Sequence, residues 1–499
     1  MSRVIRSGPE FLLAACTVMV LCVLLNGRIT DEPIRGDARQ NLQAAYNIYT
    51  WGVFSKGAAP AQAPAPDNYR EPFPPYVTAA YMALLGTERF CLHGDCYEHG
   101  FNDAAVKRVN IVWAAIVLSA TAVLSGMITR SSIWTIAVLV LLYCCYLRSP
   151  ESIDGLYTEV PASACMLVAA LCLRVYVKRG GVLMALATGC SLGILALTKA
   201  LFWYVLMLTL PVAALLLLVR LRPVAARKAL KGVVLLCIGL VATVGPWLVR
   251  NAVQCGTLHI SGRGGLALYT RALINQMDPF EYRASLHCWG PGAYRWFVRT
   301  TFLDVNRADY GRGGRAARLN CAPDADFFQD DIRAWKDGRP EDALSFFAIA
   351  RAQRKKAQDD AKRAGYRHPA GAADAYLRGE AAAMIVRKPL RHLLATPALA
   401  WRGMWCFYGG GALTVLGAAA YGSFCIVCLY GACRRRGDIM AFAAIPMLLV
   451  AGNAFLTNNL PRFNAPAIPF MVISLVCALQ TVLRFTYRRS VRQDTNKGG

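Results

Sequence analysis

Residues 181–220, from Gly181 to Arg220, read GVLMALATGCSLGILALTKALFWYVLMLTLPVAALLLLVR, and their only charges are Lys199 and Arg220. A transmembrane helix needs roughly 20 mostly apolar residues. Lys199 divides the stretch into two runs of about that length, 181–198 and 200–219. The stretch therefore predicts two membrane spans joined at one basic boundary residue.

The same pattern recurs in both directions. Comparable runs at 9–26, 104–127, 131–147, 156–173, 232–249, 406–432, 438–456 and 464–485 bring the expected total to about ten spans. The chain has 499 residues and is 56% hydrophobic, with a mean hydropathy of +0.36. Soluble domains are about 45–50% apolar, so an integral membrane protein is expected and not a soluble enzyme with an anchor. The apolar segment 73–86 is short and opens Phe73-Pro74-Pro75, which predicts an interfacial or re-entrant helix. The fold class that follows is an all-α polytopic membrane protein.

The net charge of +25 would suit a nucleic-acid partner, but its distribution points elsewhere. Lys and Arg gather in every second short loop: Arg3 and Arg6; Arg130; Lys178 and Arg179; Arg220, Arg222, Arg227, Lys228 and Lys231; Arg434 to Arg436; Arg484, Arg488, Arg489 and Arg492. This is the positive-inside pattern. It predicts cytoplasmic termini, and it puts the first loop and the long segment 250–405 on the outer face. No nucleic acid is expected as a partner. The first apolar run is followed by further spans and by no clear small-x-small site, so it reads as an uncleaved signal anchor.

The chain divides into an N-terminal transmembrane module, 1–249, with a first outer loop at 27–103; an α-rich outer region, 250–405; and C-terminal spans with a cytoplasmic tail, 406–499. Within 250–405 a helix is expected from about Glu341 to Gly365 and an amphipathic stretch from Asp374 to Trp405, broken at Pro389 and Pro397. Gly262, Gly264 and Gly265 follow no strand and read as a loop.

Most of the eighteen cysteines fall in expected spans, where Cys serves as a small apolar residue. Cys91, Cys96, Cys255, Cys288 and Cys321 fall on the outer side, where disulfides are permitted if that side is a periplasm. Cys91 with Cys96 is the easiest pairing, Cys288 with Cys321 is another, and spacing does not choose between them. Cys91, His93, Cys96 and His99 match no strong zinc pattern. No metal ligand set is assigned and no cofactor is certain, although a divalent metal is compatible with the chemistry below.

Asp37 opens a short helical pattern, Leu42, Ala45, Tyr46, Tyr49, that stops at Gly52. Its plain reading is a helix N-cap. A carboxylate just outside a membrane can also act as general base on an acceptor hydroxyl. Glu159 begins the fourth expected span on the same face; it is either an exposed carboxylate favoured by the helix dipole or a functional group, since ionisable residues in spans are costly. Lys199, Arg250, Arg462 and Arg70 all lie near the outer boundary. Each alone reads as a boundary residue; together they could receive an anionic leaving group.

Several segments taken together resemble the GT-C glycosyltransferases, most closely the dolichyl-phosphate-mannose-protein mannosyltransferase-like family that includes the aminoarabinose transferases. The resemblance rests on Gly36-Asp37 with a helix ending Tyr49-Thr50-Trp51-Gly52-Val53-Phe54, on Arg70-Glu71-Pro72-Phe73-Pro74-Pro75, and on Gly193-Ile194-Leu195-Ala196-Leu197-Thr198-Lys199. Gly245-Pro246-Trp247-Leu248-Val249-Arg250-Asn251, with Gly256 and Gly264-Gly265 after it, is its most specific part; Pro389 and Arg462-Phe463-Asn464-Ala465-Pro466 complete it.

The resemblance implies a GT-C helical bundle and transfer from a polyprenyl-phosphate sugar donor to a lipid, glycan or protein acceptor, with inversion. It implies Asp37 as the catalytic carboxylate, with Glu159 where relatives carry a second acid, and donor-phosphate contacts from Arg70, Lys199, Arg250 and Arg462. Gln40 stands where some members have an Arg three residues after the Asp, and Glu71 where some have Lys. Two alternatives share the architecture: a lipid-linked saccharide flippase, which needs ionisable groups along a central pathway, and an O-antigen ligase or polymerase, which would not depend on Asp37. The expected location is the bacterial inner membrane with the site facing the periplasm.

Overall fold

The computed structural model describes residues 8–57, 62–86, 103–220, 223–301, 305–311, 313–319, 321, 333, 334, 337, 339, 345–407 and 411–495. These form helices and turns, with no strand among the described residues. Cys91, His93, Cys96 and His99 lie outside them.

Among the described residues, eight helices are long and apolar enough to cross a membrane: Pro9–Asn26, Ala104–Thr129, Glu159–Arg179, Leu201–Val219, Ala226–Cys255, Ala412–Cys433, Gly437–Leu456 and Pro461–Tyr487. The chain thus has the make-up of a polytopic helical membrane protein. The runs at 131–147 and 181–198 form shorter apolar helices, Ser132–Leu147 and Val182–Thr198.

In chain order, α1 (Gly8–Asn26) leads to α2 (Gly36–Trp51) and α3 (Phe73–Leu85). Next come α4 (Val109–Thr129), α5 (Ser132–Leu142, continued by a π-helical turn at Tyr143–Leu147), α6 (Glu159–Arg179), α7 (Val182–Thr198), α8 (Leu201–Arg220) and α9 (Pro223–Cys255). The segment beyond holds α10 (Gly264–Ile274), α11 (Pro279–Cys288), α12 (Gly292–Thr301), α13 (Phe346–Arg363), α14 (Pro369–Arg387) and α15 (Pro389–Met404). The chain ends with α16 (Ala412–Cys433), α17 (Gly437–Leu456) and α18 (Ile468–Thr495).

Helix α6 runs through the interior and packs against α4, α7 and α17. Its first residues, Glu159 to Leu167, are all buried. Helix α1 presents Phe11, Leu12, Met19 and Val23 outward, the all-round apolar surface expected where lipid replaces water. Helices α7 and α9 pack closely on each other. Gly189 and Gly193 of α7 and Gly239 of α9 sit there, each so near the opposing helix that an added Cβ would strike it. In a bilayer, helix association depends on such close backbone approach.

Two expectations are corrected. Asp37 is not an N-cap: α2 begins at Gly36, its cap position is Arg35, and no side chain caps it. The Gly-rich stretch at 262–265 is not wholly a loop, since α10 begins at Gly264. The helix expected from about 341 to 365 is Phe346–Arg363, and the span expected at 232–249 belongs to the longer helix α9, which ends at Cys255. Cys288 is joined to Cys321, with 5.9 Å between their Cα atoms. That bond closes a second core around Leu266, Ile274, Ala284, Tyr310, Leu319, Phe346 and Leu399. Cys255 is a buried free thiol.

Candidate functional site

Asp37 stands in the first turn of α2, where a carboxylate is favoured by the helix dipole, and α2 ends cleanly on Gly52 in the left-handed conformation, φ 64°. The carboxylate is half-buried and turns to cations, not to its own helix backbone. Arg70 Nη2 approaches Oδ1 at 2.9 Å and donates to the Asp37 carbonyl at 2.6 Å. Arg462 Nη2 donates to Oδ2 at 2.9 Å, and Arg263 Nη1 lies 3.5 Å from Oδ1. Three guanidiniums from three distant parts of the chain thus hold one carboxylate. Burial works against the charged form of Asp37, but Arg263, Arg70 and Arg462 together outweigh it and keep the carboxyl below its ordinary value.

Arg263 is not among the site residues expected from the sequence, and the structure shows what delivers it. Trp247 Nε1 donates to the Ile260 carbonyl at 2.9 Å, and Asn251 Nδ2 donates to the His259 carbonyl at 2.7 Å. The Gly262 amide donates to the Asn68 carbonyl at 2.7 Å. Beyond Arg263, the Gly265 amide donates to Asp374 Oδ1 at 2.9 Å, and Gly265 packs so tightly on the Asp374 backbone that no side chain fits. The tryptophan, asparagine and glycines of this segment therefore form a mount that holds Arg263 against Asp37. The signal was the Gly-Arg-Gly-Gly run itself.

Arg250 belongs to that mount. Its Nη1 donates to the Asp67 carbonyl at 2.5 Å and its Nη2 to the Phe54 carbonyl at 3.0 Å. Its guanidinium thus fastens the end of α9 to the first loop and does not reach Asp37. Lys199 and Glu159 pair with each other instead, Nζ to Oε1 at 3.8 Å. Lys199 is buried, which pushes its ammonium down, and Glu159 opposes that shift. Phe463 connects this pair to the Asp37 group: Lys199 Nζ lies 5.6 Å from its ring centroid and Arg462 Cζ lies 5.7 Å from it. Of the six residues expected to form a site, the structure brings Asp37, Arg70 and Arg462 into contact, puts Glu159 and Lys199 beside them as a second pair, and gives Arg250 to the scaffold.

No protein-family model, curated protein or solved structure matches the chain. Its chemistry follows from the groups themselves. A carboxylate held by three forked donors is ionised at neutral pH. The same donors can bind a phosphate oxygen in place of a carboxylate oxygen, because guanidinium geometry suits both. The Nε atoms of Arg70 and Arg462 are buried without partners, so each guanidinium keeps donor capacity in reserve. One helical turn along α2 from Asp37, Gln40 Oε1 is a buried acceptor that is also unpartnered. No cluster of three His, Cys, Asp or Glu suited to a metal occurs among the described residues.

Proposed function

We propose that this protein is a GT-C-type membrane glycosyltransferase, which moves a monosaccharide from a polyprenyl-phosphate donor to an envelope lipid, glycan or protein at the outer face of a bacterial inner membrane. The observation that carries the reading is the Asp37 carboxylate clasped by Arg70, Arg263 and Arg462 beside a bundle of apolar helices. In this reading the two shorter apolar helices are spans as well, giving ten.

The polyprenyl tail lies among the helices and sets its phosphate at the level of the clasp. One lone pair of the acceptor hydroxyl oxygen forms the new bond to the anomeric carbon. The bond from that carbon to the phosphate oxygen breaks on the opposite side, and its electron pair stays on the phosphate. The hydroxyl proton passes to an Asp37 carboxylate oxygen and then to water. The phosphate gains a second negative charge as it leaves, and the guanidiniums stabilise that charge.

The clasp also times the base. In the empty site three cations make Asp37 a weak base. A phosphate arriving on the same donors shares their charge and restores basicity to the carboxylate. Deprotonation is thereby tied to donor binding.

The test is to complement cells lacking the protein with the wild-type chain or with Asp37→Asn, and to compare their envelope lipids and glycans by mass spectrometry. A single-sugar substituent should return with the wild type and fall by about 10²–10⁴-fold in the variant, while purified variant still binds polyprenyl phosphate. Normal modification by D37N, or a build-up of unmodified lipid-linked sugar on the cytoplasmic side without the protein, would overturn the assignment, the latter in favour of a flippase.

A further inference from the structure

Next to the Asp37 clasp, and sharing Arg263 with it, stands a second group whose other cations, Lys56 and Arg354, the transfer step does not use. Lys56 Nζ lies 3.3 Å from the centroid of the Tyr69 ring. Arg354, from α13, and Arg263 stack over the same ring with their Cζ atoms at 5.0 and 5.2 Å. Arg354 Nη2 donates to the Gly262 carbonyl at 3.0 Å, and its Nε is buried without a partner. Neither Lys56 nor Arg354 has a carboxylate in ion-pair contact among the described residues.

The charge balance is uneven. Lys56, Arg70, Arg263, Arg354 and Arg462 face Asp37, Asp67 and Glu71, which leaves an excess of two positive charges. Asp37 is clasped and, like Glu71, acts on Arg70; only Asp67 lies beside Tyr69, with its oxygens on the backbone amides of Lys56 and Tyr69 at 3.0 Å each, against the three cations Lys56, Arg263 and Arg354. The excess therefore falls around Tyr69, whose neutral phenol supplies no countercharge. Burial pushes the Tyr69 phenol up, yet Arg263, Arg354 and Lys56 together bring it below its ordinary value, which registers how strong the local positive field is. Lys56, Tyr69 and Arg354 are half-buried, not sealed, so a ligand can reach them.

We propose that Lys56, Arg354 and the outer edge of Arg263 form a second phosphate subsite, contiguous with the Asp37 clasp through the Arg263 guanidinium. The inference rests on the functional reading above and narrows it: the two substrates together carry two phosphate groups. The second phosphate is either the distal one of a diphosphate-linked donor or a phosphomonoester on the acceptor lipid.

The chain, reconstituted in zwitterionic nanodiscs, is titrated with polyprenyl monophosphate, polyprenyl diphosphate, and phosphatidate added over saturating polyprenyl monophosphate. Wild type is compared with the Lys56→Gln/Arg354→Gln double variant. Tighter binding of the diphosphate than of the monophosphate by about tenfold or more, lost in the double variant, assigns the subsite to the donor. Equal binding of the two polyprenyl phosphates, with phosphatidate binding that the double variant loses, assigns it to the acceptor. The charge-conserving Lys56→Arg/Arg354→Lys variant should retain binding, which separates loss of charge from loss of fold. Binding of all three probes unchanged in the glutamine variant overturns the proposal, as does equal weakening of all three. Failure of the transfer reading is seen separately, as normal sugar modification by Asp37→Asn.

Discussion

Asp37 is the residue on which the site turns, and its partners account for its acid behaviour. Its folded value lies below the ordinary 3.8 because Arg263, Arg70 and Arg462 outweigh its burial. A carboxyl with a depressed folded value adds stability at any pH above its unfolded value, and loses it as pH falls through the folded one. The stability advantage of wild type over Asp37→Asn should therefore be full above pH 3.8 and shrink steadily below it, as read by thermal unfolding in detergent across that window. An advantage that stays flat through the same range would mean that the clasp contributes nothing to folding. The sequence showed Asp37, Arg70 and Arg462 as charges near one boundary, because charge beside an apolar run is a local signal. It did not show that they touch: Arg462 is 425 residues further along the chain than the carboxylate it binds. Gln40 illustrates the same limit. The arginine missing three residues after Asp37 looked like a lost contact, but the cluster draws its guanidiniums from Arg263 and Arg462, which no local spacing predicts.

At the scale of elements, the apolar runs placed the helices well, because a run of that length has few other uses. What the sequence could not give was the meaning of its glycines. Gly245 and Gly189 both sit inside apolar helices, yet a Cβ at Gly245 meets nothing within 4 Å, whereas one at Gly189 would strike the backbone carbonyl of Leu236. Gly245→Ala should thus be neutral or stabilising by up to about 1 kcal/mol, from helix propensity alone. Gly189→Ala should force α7 and α9 apart, at a cost of about 1–3 kcal/mol or more. Thermal midpoints of the two purified variants check this. The second result has a functional side, because α9 carries Trp247, Arg250 and Asn251, the anchors that hold Arg263 in place. Gly189→Ala should then weaken binding of polyprenyl phosphate as well as stability, while Gly245→Ala leaves both intact. Equal behaviour of the two variants would remove the α7–α9 crossing from the account of the site.

For the whole molecule, the proposed topology and the disulfide must agree. In the proposed topology, basic residues in alternate loops leave 250–405 outside the cytoplasm. In that segment Cys288, at the end of α11, is bonded to Cys321 across 33 residues of chain. Disulfides persist in oxidising compartments and are rare in the cytosol, so the bond and the charge pattern, which arise from unrelated physics, favour the same side. Sequence spacing left the pairing open; the packing of α11 against the turn near Leu319, within the core built on Leu266 and Phe346, is what brings the two sulfurs together. Alkylation of intact cells followed by non-reducing mass spectrometry should find Cys288 and Cys321 joined and Cys255 free. Replacing both partners with Ser should lower the stability of this segment by roughly 3–4 kcal/mol, from the loop-closure entropy of a loop of that length, and the loss should show as faster proteolysis within 264–404 before the apolar helices are cut. Two free thiols at 288 and 321 in freshly trapped cells would instead put the segment in a reducing compartment. The donor phosphate would then have to be met from the cytoplasmic side, and the outward-facing transfer reading would fall with the topology.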